Sequence, residues 1–151
     1  MSDAIRIGNC SGYYGDRLAA AKEMVDGGPI DVLTGDYLAE LTMTILYNQQ
    51  QSRGQHMGYV GTFLKQVKDV MATCLDRSIK IVTNAGGLNP KGMADEVEKI
   101  LQEQGLTANV AYIDGDDLMS DIEHLTSLGQ NFTNIDKGIP LSDTSNQVVT
   151  A

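Results

Sequence analysis

The feature that most constrains this chain is an alternation. Four short runs rich in β-branched and apolar residues, Ala4–Ile7, Ile30–Leu33, Ile79–Thr83 and Asn109–Ile113, are separated by stretches with helical spacing. Strands joined through helices pair in parallel, because a crossover of a dozen or more residues returns the chain to the same end of the sheet. The expected fold class is therefore α/β, a three-layer α/β/α sandwich around a mainly parallel, Rossmann-like sheet.

The intervening stretches support this reading. A first helix is expected from about Asp16 to Val25, with Leu18, Ala21, Met24 and Val25 on one side and Gly27 and Gly28 as a left-handed stop before Pro29. A second runs from about Asp36 to Asn48, and the Gln-rich Gln49–Met57 that follows reads as a surface loop. The third has the clearest stripe, Val60, Phe63, Leu64, Val67, Val70, Met71, Cys74 and Leu75. In the fourth, Asn89 is a natural N-cap, Pro90 a natural first residue and Gly105 the stop. A fifth follows Asp116, with Leu118, Ile122, Leu125 and Leu128 facing inward. After Gly129 the pattern fades, and another strand is expected to begin at Gln147–Thr150. The length of 151 residues suits one domain, expected to be incomplete at its C-terminus.

Charge and cysteine content bound the partners. A net charge of −9 argues against nucleic acid and anionic membrane surfaces, which need gathered Lys and Arg. Cys10 and Cys74 have no metal-ligand or redox spacing, and no apolar run reaches ~18 residues, so a cytoplasmic protein is expected.

In open parallel sheets ligands bind beyond the carboxyl ends of the strands. The loops there are Gly8–Arg17, Thr34–Tyr37, Asn84–Gly92 and Asp114–Asp117, expected to form one contiguous rim. Asn9, Ser11, Gly12, Gly15, Arg17, Gly35, Asn84, Gly86, Gly87, Asn89 and Lys91 are the candidate ligand-binding residues, since glycines let amides approach an anion and Arg17 and Lys91 are the loops' cations. The first loop reads G-x-x-x-G-x-x-G, unlike the dinucleotide or P-loop patterns. Asp16, Asp36 and Asp116 are candidates for acid/base work. Each feature has a plainer reading: glycines serve tight turns, Asp residues cap helices, Arg17 and Lys91 make local ion pairs. A nucleophilic Cys10 would need a neighbouring base or cation, and Cys74 reads as core.

Taken together, Arg6–Arg17, Gly28–Met43, Asn84–Gly92 and Gly115–Leu118 resemble the N-terminal region of the acyclic terpene utilisation AtuA family. The resemblance implies a part in the breakdown of terpenoids such as citronellol and geraniol through acyl-CoA intermediates. It implies a small-molecule substrate, a terpenoid or branched acyl-CoA type compound, with partners that are other copies or other pathway subunits. Whether the chain is an enzyme domain, a non-catalytic ligand- or CoA-binding subunit or an assembly domain is left open. So is the cofactor, for which a CoA thioester and Mg²⁺ are both compatible. Members of the family are longer, so the chain reads as a fragment.

Overall fold

A computed structural model describes residues 4–144 and 148–151. The chain divides into two compact units, Met1–Ile113 and Asp114–Ala151, where the sequence suggests one.

The first unit is α/β. Strand β1 (Ile7–Asn9) is followed by α1 (Ala20–Gly27), β2 (Val32–Gly35), α2 (Glu40–Arg53), α3 (Gly61–Asp76), β3 (Lys80–Thr83) and α4 (Pro90–Gln104). All pairs are parallel, in the order β1-β2-β3, with Ile7 opposite Val32 and Val32 opposite Lys80. The period-two alternation of the strands decides what is buried. Leu33 and Ile81 point toward α1 and α3, where Leu33 packs with Ala21, Val25, Val70, Cys74 and Ile79. A second cluster joins Leu46 of α2 and Phe63, Val67 and Met71 of α3 to Val97, Ile100 and Leu101 of α4. Each fully buried aliphatic side chain contributes roughly 1.5–3 kcal/mol.

The other face of the sheet is open. Ile7 is 65% and Val82 58% exposed, and both lie on the side away from Leu33. The expected three layers are thus two within this unit.

Several boundaries shift for local reasons. The ladder starts at Ile7 rather than Ala4, because the Arg6 amide bonds the Asp31 side chain instead of a strand partner. Helix α1 starts at Ala20, since Asp16 folds back to close its own loop. Gly28 ends it in an extended conformation (φ 177°), not the expected left-handed cap. Helix α2 begins at Glu40 because Tyr37 is drawn into the core first, and it runs on through Gln49–Arg53, the expected loop. Helix α4 follows expectation: Asn89 accepts a bond from the Gly92 amide, Pro90 leads and Gly105 is left-handed at φ 65°.

The expected fourth strand does not form a ladder. Leu106, Ala108 and Val110 still lean onto the α3/α4 core while Thr107, Asn109 and Ala111 face outward. That is a strand's side-chain pattern without its hydrogen bonds.

The second unit holds α5 (Ile122–Ser127) and a 3-10 turn at Leu141–Asp143. Helix α5 buries no residue, and Leu128, expected to face inward, is exposed. Gln147 lies outside the described residues, and Val148–Thr150 form no strand. Among the described residues no helix is long and apolar enough to cross a membrane.

Candidate functional site

Three of the four expected loops are stitched together at the carboxyl ends of the strands. The Cys10 amide donates to the Thr34 carbonyl (2.8 Å) and the Asp36 amide to the Ser11 carbonyl (3.0 Å), joining the first loop to the second. Asn84 joins the second to the third. Its Nδ2 donates to Asp36 Oδ1 (2.7 Å), and its Oδ1 accepts the Tyr37 amide (2.9 Å). The loop Asp114–Asp117 belongs to the second unit and follows no strand, so the sheet's rim consists of three loops.

Beside the first loop lies a cleft of about 520 Å³ between β1 and α1. Ala20, Met24 and Ile30 give it an apolar floor; Asn9, Ser11, Asp16, Arg17 and Glu23 stand at its polar side. The floor depends on Gly8. A Cβ there would lie 2.7 Å from Met24 Cγ and 3.3 Å from Ile30 Cδ1, so only glycine lets both side chains close over the strand.

Many candidate residues have structural partners. Asp16 uses both oxygens on its own loop, accepting from the Gly12 amide at 3.0 Å and the Arg17 amide at 2.7 Å. Those bonds, Gly12 first, hold its carboxyl below the ordinary value, which makes it a weak base. Arg17 pairs with Glu23 on the surface. Lys91 pairs with Asp95 one turn along α4 at 2.9 Å, and that bond raises its pKa. Asp116 lies exposed in the second unit. Asn89 caps α4 and also donates to the His56 and Met57 carbonyls.

The third loop spends its amides on structural bonds, with Leu88 donating out of the loop to the Gly58 carbonyl (2.8 Å) and others bonding within it. Gly87 donates to the Asn84 carbonyl, Asn89 to Gly86, and Ala85 to the Thr83 hydroxyl. Its glycines answer to packing: a Cβ at Gly86 would lie 2.8 Å from Pro90 Cα, and Gly87, at φ 52°, would put one 2.3 Å from Leu46. Gly35 gives way to the Tyr37 ring in the same manner, whereas Gly15, at φ 98°, faces open space.

Two residues outside the candidate set tie the site together. Tyr37 and Gln66 are each 2% exposed, and the Tyr37 hydroxyl donates to Gln66 Oε1. Gln66 Nε2 in turn donates to the Arg17 carbonyl (3.1 Å). The Cys10 thiol and Ser11 hydroxyl lie beside the tyrosine oxygen, and burial raises the pKa of Tyr37 and Cys10 alike. The thiol therefore stays protonated, and its hydrogen-bond partner among the described residues is the Tyr37 hydroxyl rather than a base. The sequence does carry a signal for Gln66: it is a polar residue on the core face of an otherwise apolar stripe, flanked by Phe63, Val67 and Val70. Among the described residues no three His, Cys, Asp or Glu side chains gather as a metal-ion ligand set.

A comparison with protein families matches residues 5–151 to the acyclic terpene utilisation family protein AtuA. The chain belongs to the AtuA family. No curated protein and no solved structure matches it. Membership of the AtuA family ties the chain to acyclic terpene utilisation, and the cleft and stitched loops lie within the matched residues.

Proposed function

We propose that the chain binds the apolar body of an acyclic terpenoid, or of its acyl derivative, in the cleft between β1 and α1, and so serves the breakdown of such compounds. The observation that carries this reading is the cleft: an aliphatic and thioether floor of Ala20, Met24 and Ile30 that opens, at the carboxyl end of a parallel sheet, onto Asn9, Ser11 and Arg17. Its volume falls in the range of small-molecule sites, roughly 300–1,000 Å³. A flexible branched chain needs such a floor, and methionine adapts to irregular apolar shapes. For a CoA thioester, the cleft is sized for the acyl part. Asp36, whose carboxylate is bridged to Asn84 at the rim, is the remaining acid/base candidate of the first unit.

The test is calorimetric titration of the purified chain with citronellol and citronellic acid. Wild type is expected to bind at least one of them, and Met24→Gln, folded by its circular dichroism, to weaken that binding several-fold. Absence of binding by wild type, or undiminished binding by the variant, refutes this role for the cleft.

A second reading, a subunit that assembles with other copies or with cytoplasmic pathway proteins, is favoured by the open sheet face bearing Ile7 and Val82. A further helical layer laid on that face would complete the three-layer Rossmann-like sandwich.

A further inference from the structure

We infer that the cleft prefers a carboxylate to the corresponding alcohol because Arg17 is held at its mouth by a buried Gln66–Tyr37 pair, which makes Gln66 and Tyr37 positioning residues of the site. The inference rests on the reading of the cleft as the terpenoid site.

Exposed arginines are commonly mobile, and fixing one costs side-chain entropy. Here the backbone of Arg17 is held from both sides. Its amide donates to Asp16 Oδ1 at 2.7 Å, and its carbonyl accepts from Gln66 Nε2 at 3.1 Å and from the Ala20 amide at 3.2 Å. The Gln66 bond spans 49 residues and comes from the middle of α3, so the turn leading into α1 is tied to the core rather than to its own loop alone.

A primary amide in that position is costly unless both ends are used. Gln66 sits among Phe63, Val67 and Val70, where leucine would pack, and both of its ends are used. Tyr37 is fixed in turn: its ring packs edge-on to Phe63 (centroids 6.0 Å apart), and its carbonyl accepts from Thr42 Oγ1 at 2.9 Å. The consequence is a cation whose backbone is held and which lines the same cleft as Ala20, Met24 and Ile30. Guanidinium matches carboxylate in shape and charge but gains much less from a hydroxyl. Asp16 turns its oxygens to backbone amides, though its charge still bears on Arg17 from the same cleft; Glu23 competes directly, through its ion pair with Arg17.

The experiment compares the affinities of citronellic acid and citronellol for wild type, Gln66→Leu, Tyr37→Phe and Glu23→Gln, together with amide hydrogen exchange at Arg17–Ala20 without ligand. Wild type is expected to favour the acid. Gln66→Leu should lower acid affinity about tenfold with alcohol affinity within about twofold, and Tyr37→Phe should act in the same direction more weakly. Glu23→Gln, which frees Arg17, should raise acid affinity alone. Equal loss of acid and alcohol binding in Gln66→Leu would make Gln66 merely structural. Equal wild-type affinities would overturn the carboxylate preference but leave the cleft as a chain-binding site, whereas no binding of either ligand would overturn the cleft reading itself. Exchange decides the positioning claim separately: faster exchange at Arg17–Ala20 in Gln66→Leu supports it, and unchanged exchange refutes it. If Gln66→Leu fails to fold, Tyr37→Phe and Glu23→Gln carry the same comparison.

Discussion

Helix α4 in the first unit and helix α5 in the second start from similar apolar spacing and end differently. In α4, Ala94, Val97, Ile100 and Leu101 are buried, with α3 supplying the opposite surface. In α5, Ile122 and Leu125 recur at the same helical interval, yet no residue is buried and the helix lasts only six residues. Periodicity shows which face of a helix wants burial; whether anything is there to bury it depends on the rest of the fold. The caps differ in the same sense. Asn89 makes its side-chain bond at the start of α4, whereas Asp121, a favourable cap residue, makes none at α5.

The largest expected difference between the regions lies in core truncation. Leu101→Ala should cost about 2–5 kcal/mol in urea unfolding, since the side chain is 4% exposed, while Leu125→Ala should cost less than about 1 kcal/mol. A comparable loss at Leu125 would mean that the second unit has a core of its own.

Glycine substitution gives the next largest contrast. Gly87→Ala combines a left-handed φ of 52° with a Cβ 2.8 Å from the Gly58 carbonyl, and should cost about 2 kcal/mol or more. Gly115→Ala, at φ 102° in open space, should cost only the backbone strain, about 1 kcal/mol. Thermal melting of the two variants would rank them, and a reversed order would break the comparison.

Capping should separate the helices more modestly. Asn89→Ala is expected to lose about 1–2 kcal/mol, toward the upper end because the His56 and Met57 carbonyls lose a donor too. Asp121→Ala should fall within about 0.5 kcal/mol of wild type. A deficit at Asp121 equal to that at Asn89 would show a cap bond forming in solution.

The smallest effect concerns acid. The Arg6 guanidinium and amide hold the Asp31 carboxyl down to about 2 from an ordinary 3.8. Because the folded value is the lower one, the pair's contribution is present above pH ~4 and fades as pH falls toward ~2. Asp31→Asn should therefore change stability about half as much at pH 3, which lies between the two values, as at pH 6. A constant difference across that interval would remove the Arg6 pair as the cause.

How much of this was legible in the sequence depended on whether the interaction was local. The α3 stripe, the Asn89 cap, Pro90 and Gly105 depend on neighbours within a turn or two, and the structure has them as the residues suggest. The three stitched loops were legible as well, because parallel strands leave their following loops on one edge. The missing ladder at Asn109–Ile113 was not, since pairing needs a partner edge that side-chain alternation does not supply. Of the candidate residues, Asn9, Ser11, Gly12, Asp16 and Arg17 line the cleft, while Lys91 and Asn89 serve α4. The Tyr37–Gln66 bond is not legible because it joins positions 29 residues apart, although a glutamine inside an apolar stripe is a visible anomaly.

The central claim is that the cleft beside β1 takes an acyclic terpenoid chain, and the amide NMR spectrum of the nitrogen-labelled chain, titrated with citronellic acid, tests it most directly. Saturable shifts are predicted at Asn9–Arg17, Met24 and Gly27–Ile30, with Asp114–Thr144 undisturbed. Shifts centred on the second unit, or none up to the solubility of the ligand, would contradict it.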